Sequence, residues 1–157
     1  MLEDLYEAQS GFVSGNEFLN TILSTKKKEI EKSSTEISFE GIFPEKGIDN
    51  YDISTIMCNA LDNAIEACMQ TDEPSKITFV SKIVGDYVYF KISNPYKKIK
   101  TDGKKNLITT KSDNSYHGYG MKKIEETVKK YDGNLDITHE KNTFTLSAKM
   151  RYQNSEA

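Results

Sequence analysis

The sequence predicts an α/β domain, and three observations carry that expectation. Two stretches have helical hydrophobic spacing, around residues 52–70 and 120–131, while two pairs of alternating segments read as β-hairpins. Glycine, proline or Asp-Gly pairs punctuate the joints between them. The chain's 157 residues and 36% hydrophobic content suit one core and leave little for a second, so one domain plus an extension is expected.

Leu2, Leu5 and Tyr6 form a short helical stripe that Gly11, Ser14 and Gly15 interrupt. Phe18, Leu19, Ile22, Leu23 and Ile30 resume helical spacing before the polar Lys32-Ser33-Ser34, so residues 1–34 read as a helical linker or coupling element. Residues 35–152 follow as the main domain and 153–157 as a disordered tail. Ile37, Phe39 and Ile42 predict a strand ending at Pro44 and Gly47, and Asp52 is the expected N-cap of the next helix, which stops before Pro74. Lys76 to Val84 and Tyr87 to Ser93 pair through Gly85-Asp86, and Leu135 to His139 pairs with Thr143 to Lys149 around Lys141-Asn142. Between the hairpins lie a polar segment, Pro95 to Tyr116, too long for an ordinary connection, and a helix from Gly120 to Tyr131 stopped by Asp132-Gly133.

The first of these helices carries the main chemical signal. At roughly 100° per residue, Asp52, Thr55, Asn59, Asn63 and Glu66 share one narrow arc, beside an apolar face of Ile53, Ile56, Met57, Ala60, Leu61 and Ala64. A helix anchored by that face holds its carboxamides and carboxylates in a fixed stripe, suited to a hard hydrated cation such as magnesium with a phosphate ligand. The second signal is His117-Gly118-Tyr119-Gly120-Met121, where two glycines let the backbone approach a bulky anion at the start of a helix. Alone, such a pair is also an ordinary tight turn. Neither a G-x-x-x-x-G-K-[ST] loop nor a G-x-G-x-x-G strand-to-helix turn is present.

Other function classes recede on composition. Net charge is −3 with lysines scattered among acids, which argues against a DNA or RNA partner. Cys58 and Cys68 are separated by about 15 Å of helical rise and cannot pair, so they read as small apolar residues of a reducing compartment. No apolar run approaches the roughly 20 residues that span a bilayer, and the start lacks a signal peptide's apolar block, so a cytoplasmic protein is expected.

The ordered set Asn59 to Ala67, Ile92-Ser93-Asn94-Pro95, Thr109-Thr110-Lys111, His117 to Met121 and Lys130-Tyr131-Asp132-Gly133 resembles the ATP-binding domain of sensor histidine kinases. Within the Bergerat-fold (GHKL) superfamily it is most similar to the Agr-type quorum-sensing branch, and Gly15 to Lys26 looks like the stretch linking that branch's histidine-bearing helices to the kinase domain. The resemblance implies a two-layer α/β sandwich, a mixed, mainly antiparallel sheet backed by about three helices, with ATP between the asparagine helix and a lid at 95–116. It implies Asn63 as magnesium ligand with Asn59 in support, Asn94 at the adenine amine, and His117, Gly118, Tyr119, Gly120 and Met121 around the phosphates. Lys111 would be a lid cation reaching the γ-phosphate, and Glu66, grouped with it as catalytic, stands where many histidine kinases have a basic residue. The implied partners are a histidine-bearing dimerisation domain of the same kinase, of which residues 1–34 would be a remnant, and a response regulator. A homodimer is implied for the full-length protein, of which this chain would be the cytoplasmic part below a membrane-anchored sensor.

Three points beside Glu66 refine the expectation. Thr55 occupies a position where hydrolytic and many kinase relatives carry a glutamate that can polarise water, so the general base for efficient hydrolysis is lacking, which favours phosphoryl transfer. Neither His117 nor His139 lies in a helical histidine-acid motif, so the phosphoacceptor histidine is expected on a dimerisation domain absent from this chain. Asn94 stands where most relatives have an aspartate, and the Agr-type pattern also resembles an asparagine there; because an amide can accept or, flipped, donate, its residue type predicts weaker discrimination of ATP from GTP than in aspartate-bearing relatives. The alternatives are an ATP-operated protein-binding switch or clamp of the same fold, and a degenerate regulator without enzymatic activity.

Overall fold

The computed structural model describes residues 11–96 and 119–152. Lys111, His117 and Gly118, nearly all of the expected lid, and both chain ends lie outside the described residues. The elements run α1 (Glu17–Glu29), β1 (Thr35–Gly41), α2 (Asn50–Met69), β2 (Ser75–Val84) and β3 (Tyr87–Pro95). They continue with α3 (residues 119–130), β4 (Asn134–Glu140) and β5 (Thr143–Arg151). The five-stranded sheet has the order β1-β2-β3-β5-β4, parallel only between β1 and β2 and antiparallel elsewhere. This is the mixed sheet with three helices that the sequence implies.

Local chemistry explains the joints. The β2–β3 turn places Gly85 at φ 62, and the β4–β5 turn uses Lys141 and Asn142 at φ 47 and 64, the double left-handed geometry that suits a two-residue hairpin. Gly133 has no side chain because a Cβ there would collide with the Lys149 carbonyl as the chain leaves α3 for β4. The inward rows of the sheet, including Ile77, Phe79, Phe90, Ile92, Leu146 and Met150, are buried against Ile53, Ile56, Met57, Leu61, Ile124 and Val128 of the helices. The helices thus cover one sheet face, and the other stays open to solvent.

The helix α1 joins this core. Leu19 and Leu23 are wholly buried, and Asn16 caps the helix by accepting from the Leu19 N–H at 2.9 Å while its own amide donates to the Pro44 carbonyl. Lys26, itself buried, donates to Asp62 of α2 at 2.7 Å. Burial alone would lower its pKa, but the hydrogen bond and charge of Asp62 outweigh that and hold it raised. A charge from α1 is therefore tied to the residue preceding Asn63.

One expectation is corrected. Asp52 is not the N-cap of α2; the helix begins at Asn50 after Asp49, which places Asp52 in the first turn, 4% exposed. There its carboxylate accepts from Lys130 Nζ at 2.9 and 3.1 Å and from the Tyr131 hydroxyl. The Tyr131 hydroxyl in turn accepts from the Asp49 N–H at 3.1 Å. The residue thus leaves the expected cation-binding stripe and joins the start of α2 to the end of α3.

Burial, then the hydrogen bond to Asp52, push the Tyr131 pKa up to about 12. Above pH 10 the unfolded tyrosine loses its proton while the folded one keeps it, so this contribution is complete below pH 10 and lost as pH approaches 12. Tyr131→Phe should cost about 1–2 kcal/mol at pH 7 and flatten the fall in stability between pH 10 and 12. Chemical denaturation of both proteins across that range checks it, and parallel curves would deny Tyr131 the role.

Candidate functional site

The polar stripe of α2 is laid down by back-bonding along the helix. The Thr55 hydroxyl donates to the Tyr51 carbonyl at 3.1 Å, and the Asn59 amide Nδ2 donates to the Thr55 carbonyl at 2.7 Å. That leaves the Asn59 Oδ1 turned toward α3, where a Cβ placed on Gly120 would lie 3.4 Å from it. One turn further on the ladder breaks. Asn63 Nδ2 is buried and finds no hydrogen-bond partner. Such an orphaned polar atom calls for an explanation, because burying it unpaired costs roughly 1–3 kcal/mol. Glu66 follows on the next turn and is exposed.

The structure therefore sets the Asn59 oxygen beside Gly120 at the start of α3, with Asn63 one turn further along α2. Around that start, Tyr119 is 65% exposed with Lys123 Nζ 5.4 Å from its ring centre, and Met121 is partly buried against the core. The donors on offer are carboxamides. Among the described residues no three His, Cys, Asp or Glu side chains gather into a metal cage. That donor set fits a magnesium ion whose remaining ligands are waters and substrate phosphates better than a site built wholly from protein groups.

Asn94 lies on the helix-facing side of β3, 3% exposed, in one row across the sheet with Phe144 of β5 and His139 of β4. Its Nδ2 donates to the Pro95 carbonyl at 2.7 Å. Flipping the amide would set two oxygens against each other, so the group is fixed with its acceptor as the part not engaged by Pro95. This bond leaves the Asn94 Oδ1 as the atom open to a further donor. Beside it, residue type had not signalled an aromatic group in which His139 stands edge-on to Tyr96 at 5.1 Å and to Phe144 at 4.9 Å. The Tyr96 N–H also donates to the Asn142 carbonyl at 2.7 Å, fixing the end of β3 to the β4–β5 turn. Cys58 and Cys68 are free thiols, and burial pushes the Cys68 thiol up.

Comparison with known proteins places this arrangement. Comparison with curated proteins finds no match. Among solved structures, the nucleotide-free catalytic domain of histidine kinase ThkA superposes with a TM-score of 0.66 at 20% identity, covering 88% of this chain and 94% of that one. Histidine kinase AdeS of Acinetobacter baumannii matches with a TM-score of 0.65 at 14% identity, over 98% of this chain and 76% of that one. ThkA in complex with the response regulator protein TrrA matches at 0.61 and 19%, over 90% of this chain and 41% of the kinase. These likenesses establish a fold shared with histidine kinase catalytic domains. The GHKL domain matches residues 48–151, from just before α2 to the last residue of β5. That span holds Asn59 and Asn63 of α2, Asn94 and all of α3, and the chain belongs to the GHKL domain family.

Proposed function

We propose that this chain is the catalytic, ATP-binding domain of a two-component sensor histidine kinase of the Agr-type quorum-sensing branch, the cytoplasmic part of a membrane-anchored homodimer. The observation that carries the reading is the buried Asn63 Nδ2 without a partner, one helical turn from an Asn59 oxygen that faces Gly120. A phosphate oxygen of a bound metal–nucleotide would accept from that Nδ2, leaving the amide oxygens of Asn63 and Asn59 to the metal side. Magnesium, when bound, neutralises charge on the terminal phosphates.

The chain's own residues supply orientation. Asn63 turns its amide oxygen to the metal, Asn59 supports it from the preceding turn, and the Asn94 acceptor takes the adenine amine. His117, Gly118, Tyr119, Gly120 and Met121 bring backbone close to the phosphates, while Lys111 and Glu66 belong to the catalytic end, with Lys111 reaching the γ-phosphate. Transfer of that group to a histidine on the dimerisation domain is then a matter of position and charge. Hydrolysis is disfavoured because Thr55, where a general base would stand, has only a hydroxyl, and that hydroxyl donates a hydrogen bond to the Tyr51 carbonyl. The same feature argues against the hydrolytic clamps of this fold. A response regulator is the onward acceptor, a reading supported by the ThkA complex with TrrA.

The test is labelling with γ-labelled ATP and magnesium. Alone, the chain should form no acid-labile phosphohistidine, because His139 stands in β4 against Tyr96 and Phe144. Adding a helical domain that bears the acceptor histidine should produce it. Labelling of this chain's own His117 or His139, or no transfer with the acceptor domain present, would contradict the reading.

A further inference from the structure

The open face of the sheet, opposite the helices and the candidate nucleotide site, carries an uneven charge pattern. Its registered rows place Lys82, Tyr89 and Lys149 side by side, with Tyr87 and Arg151 in the row above and Lys91 in the row below. The rings and cations order one another: Lys149 Nζ lies 5.1 Å from the Tyr87 ring centre, Lys82 Nζ lies 6.0 Å from that of Tyr89, and the two rings are 6.4 Å apart. Val80 and Val84 add exposed aliphatic surface on β2. Four cations thus converge on the three central strands of a chain whose net charge is −3.

The margins have the opposite sign. Glu36 and Glu40 lie on the edge strand β1, and Asp136 and Glu140 on the other edge strand, β4. Three strands at about 4.8 Å spacing make the basic strip roughly 10 Å wide, close to the diameter of one helix with its side chains. The geometry points to a docking surface for an acidic, amphipathic helix of a partner protein: its carboxylates meet Lys82, Lys91 and Lys149, Arg151 being already paired with Asp86 at 3.5 Å, and its apolar positions meet the tyrosines and valines. A flat anionic surface such as a membrane, or a nucleic acid duplex, would overlap the flanking carboxylates and be repelled by them. This surface is independent of the nucleotide site, so its fate does not depend on the proposed kinase activity.

The test uses the whole chain and a 20-residue labelled helix of alternating Glu-rich and Leu faces, followed by fluorescence anisotropy. Binding should weaken as ionic strength rises and should fall at least tenfold in K82E/K91E/K149E. Reversing three exposed lysines elsewhere, K28E/K32E/K129E, should cost far less. Thermal melts and Mg-ATP titration should match wild type in both, and the K82Q/K91Q/K149Q variant carries the test if charge reversal lowers the melting temperature. No binding of the peptide, or equal losses in the two triple variants, would overturn the proposal. So would binding to phosphatidylglycerol vesicles that only the patch variant abolishes, because that result assigns the face to a membrane.

Discussion

Asn63→Ala is expected to weaken Mg-ATP binding by about 10- to 100-fold, roughly 1.5–3 kcal/mol, while the fold stays intact. The side chain is half-buried, its buried Nδ2 has no partner, and it stands where the back-bonding of Thr55 and Asn59 stops. Truncation therefore deletes a group whose hydrogen-bonding capacity the ligand-free fold does not use, and alanine has the higher helix propensity. Affinity and stability should part company: calorimetric titration with Mg-ATP should show the loss, and the thermal melt without nucleotide should be unchanged or slightly raised. Wild-type affinity in the variant would remove Asn63 from the site.

Asp52→Ala should act in the opposite way, lowering stability by about 2–4 kcal/mol. The carboxylate is 4% exposed and gathers Lys130 and the Tyr131 hydroxyl at the first turn of α2, where negative charge is also favoured by the helix dipole. Tyr131 is tied onward by its backbone, whose carbonyl accepts from the Arg151 N–H at 2.7 Å. Losing Asp52 therefore loosens the joint of α2, α3 and β5 together. The denaturant midpoint should drop well below that of Tyr131→Phe, which keeps the ion pair with Lys130. A loss no larger than that of the Phe variant would mean that Lys130 and the helix dipole contribute nothing through Asp52.

Much of this architecture was legible because its signals are local. Alternation in Lys76 to Val84 and Tyr87 to Ser93, with Gly85-Asp86 between, identifies the first hairpin from residue types alone, and Lys141-Asn142 does so for the second. The asparagine stripe was legible for the same reason, since Asn59, Asn63 and Glu66 need only helical spacing to share an arc. The start of α2 was not, because Asp49, Asn50 and Asp52 are all good capping types and only the fold decides among them. What decides is Lys130 and Tyr131, nearly eighty residues later and invisible to periodicity. Asn94 teaches the same lesson at one atom: its residue type permits either amide orientation, and the Pro95 carbonyl selects one. The apolar stripe of α1 was readable, but its charged tie from Lys26 to Asp62 depends on two helices meeting.

The central claim is that nucleotide lies between the asparagines of α2, the start of α3 and the Asn94 end of β3. Amide hydrogen exchange of the wild-type chain with and without Mg-ATP tests it most directly. Added protection is expected in three segments, residues 55–66, 119–124 and 92–96, with little change along the solvent-facing rows of β2. Saturating Mg-ATP that leaves those three segments unchanged, or protects the open sheet face instead, would contradict it.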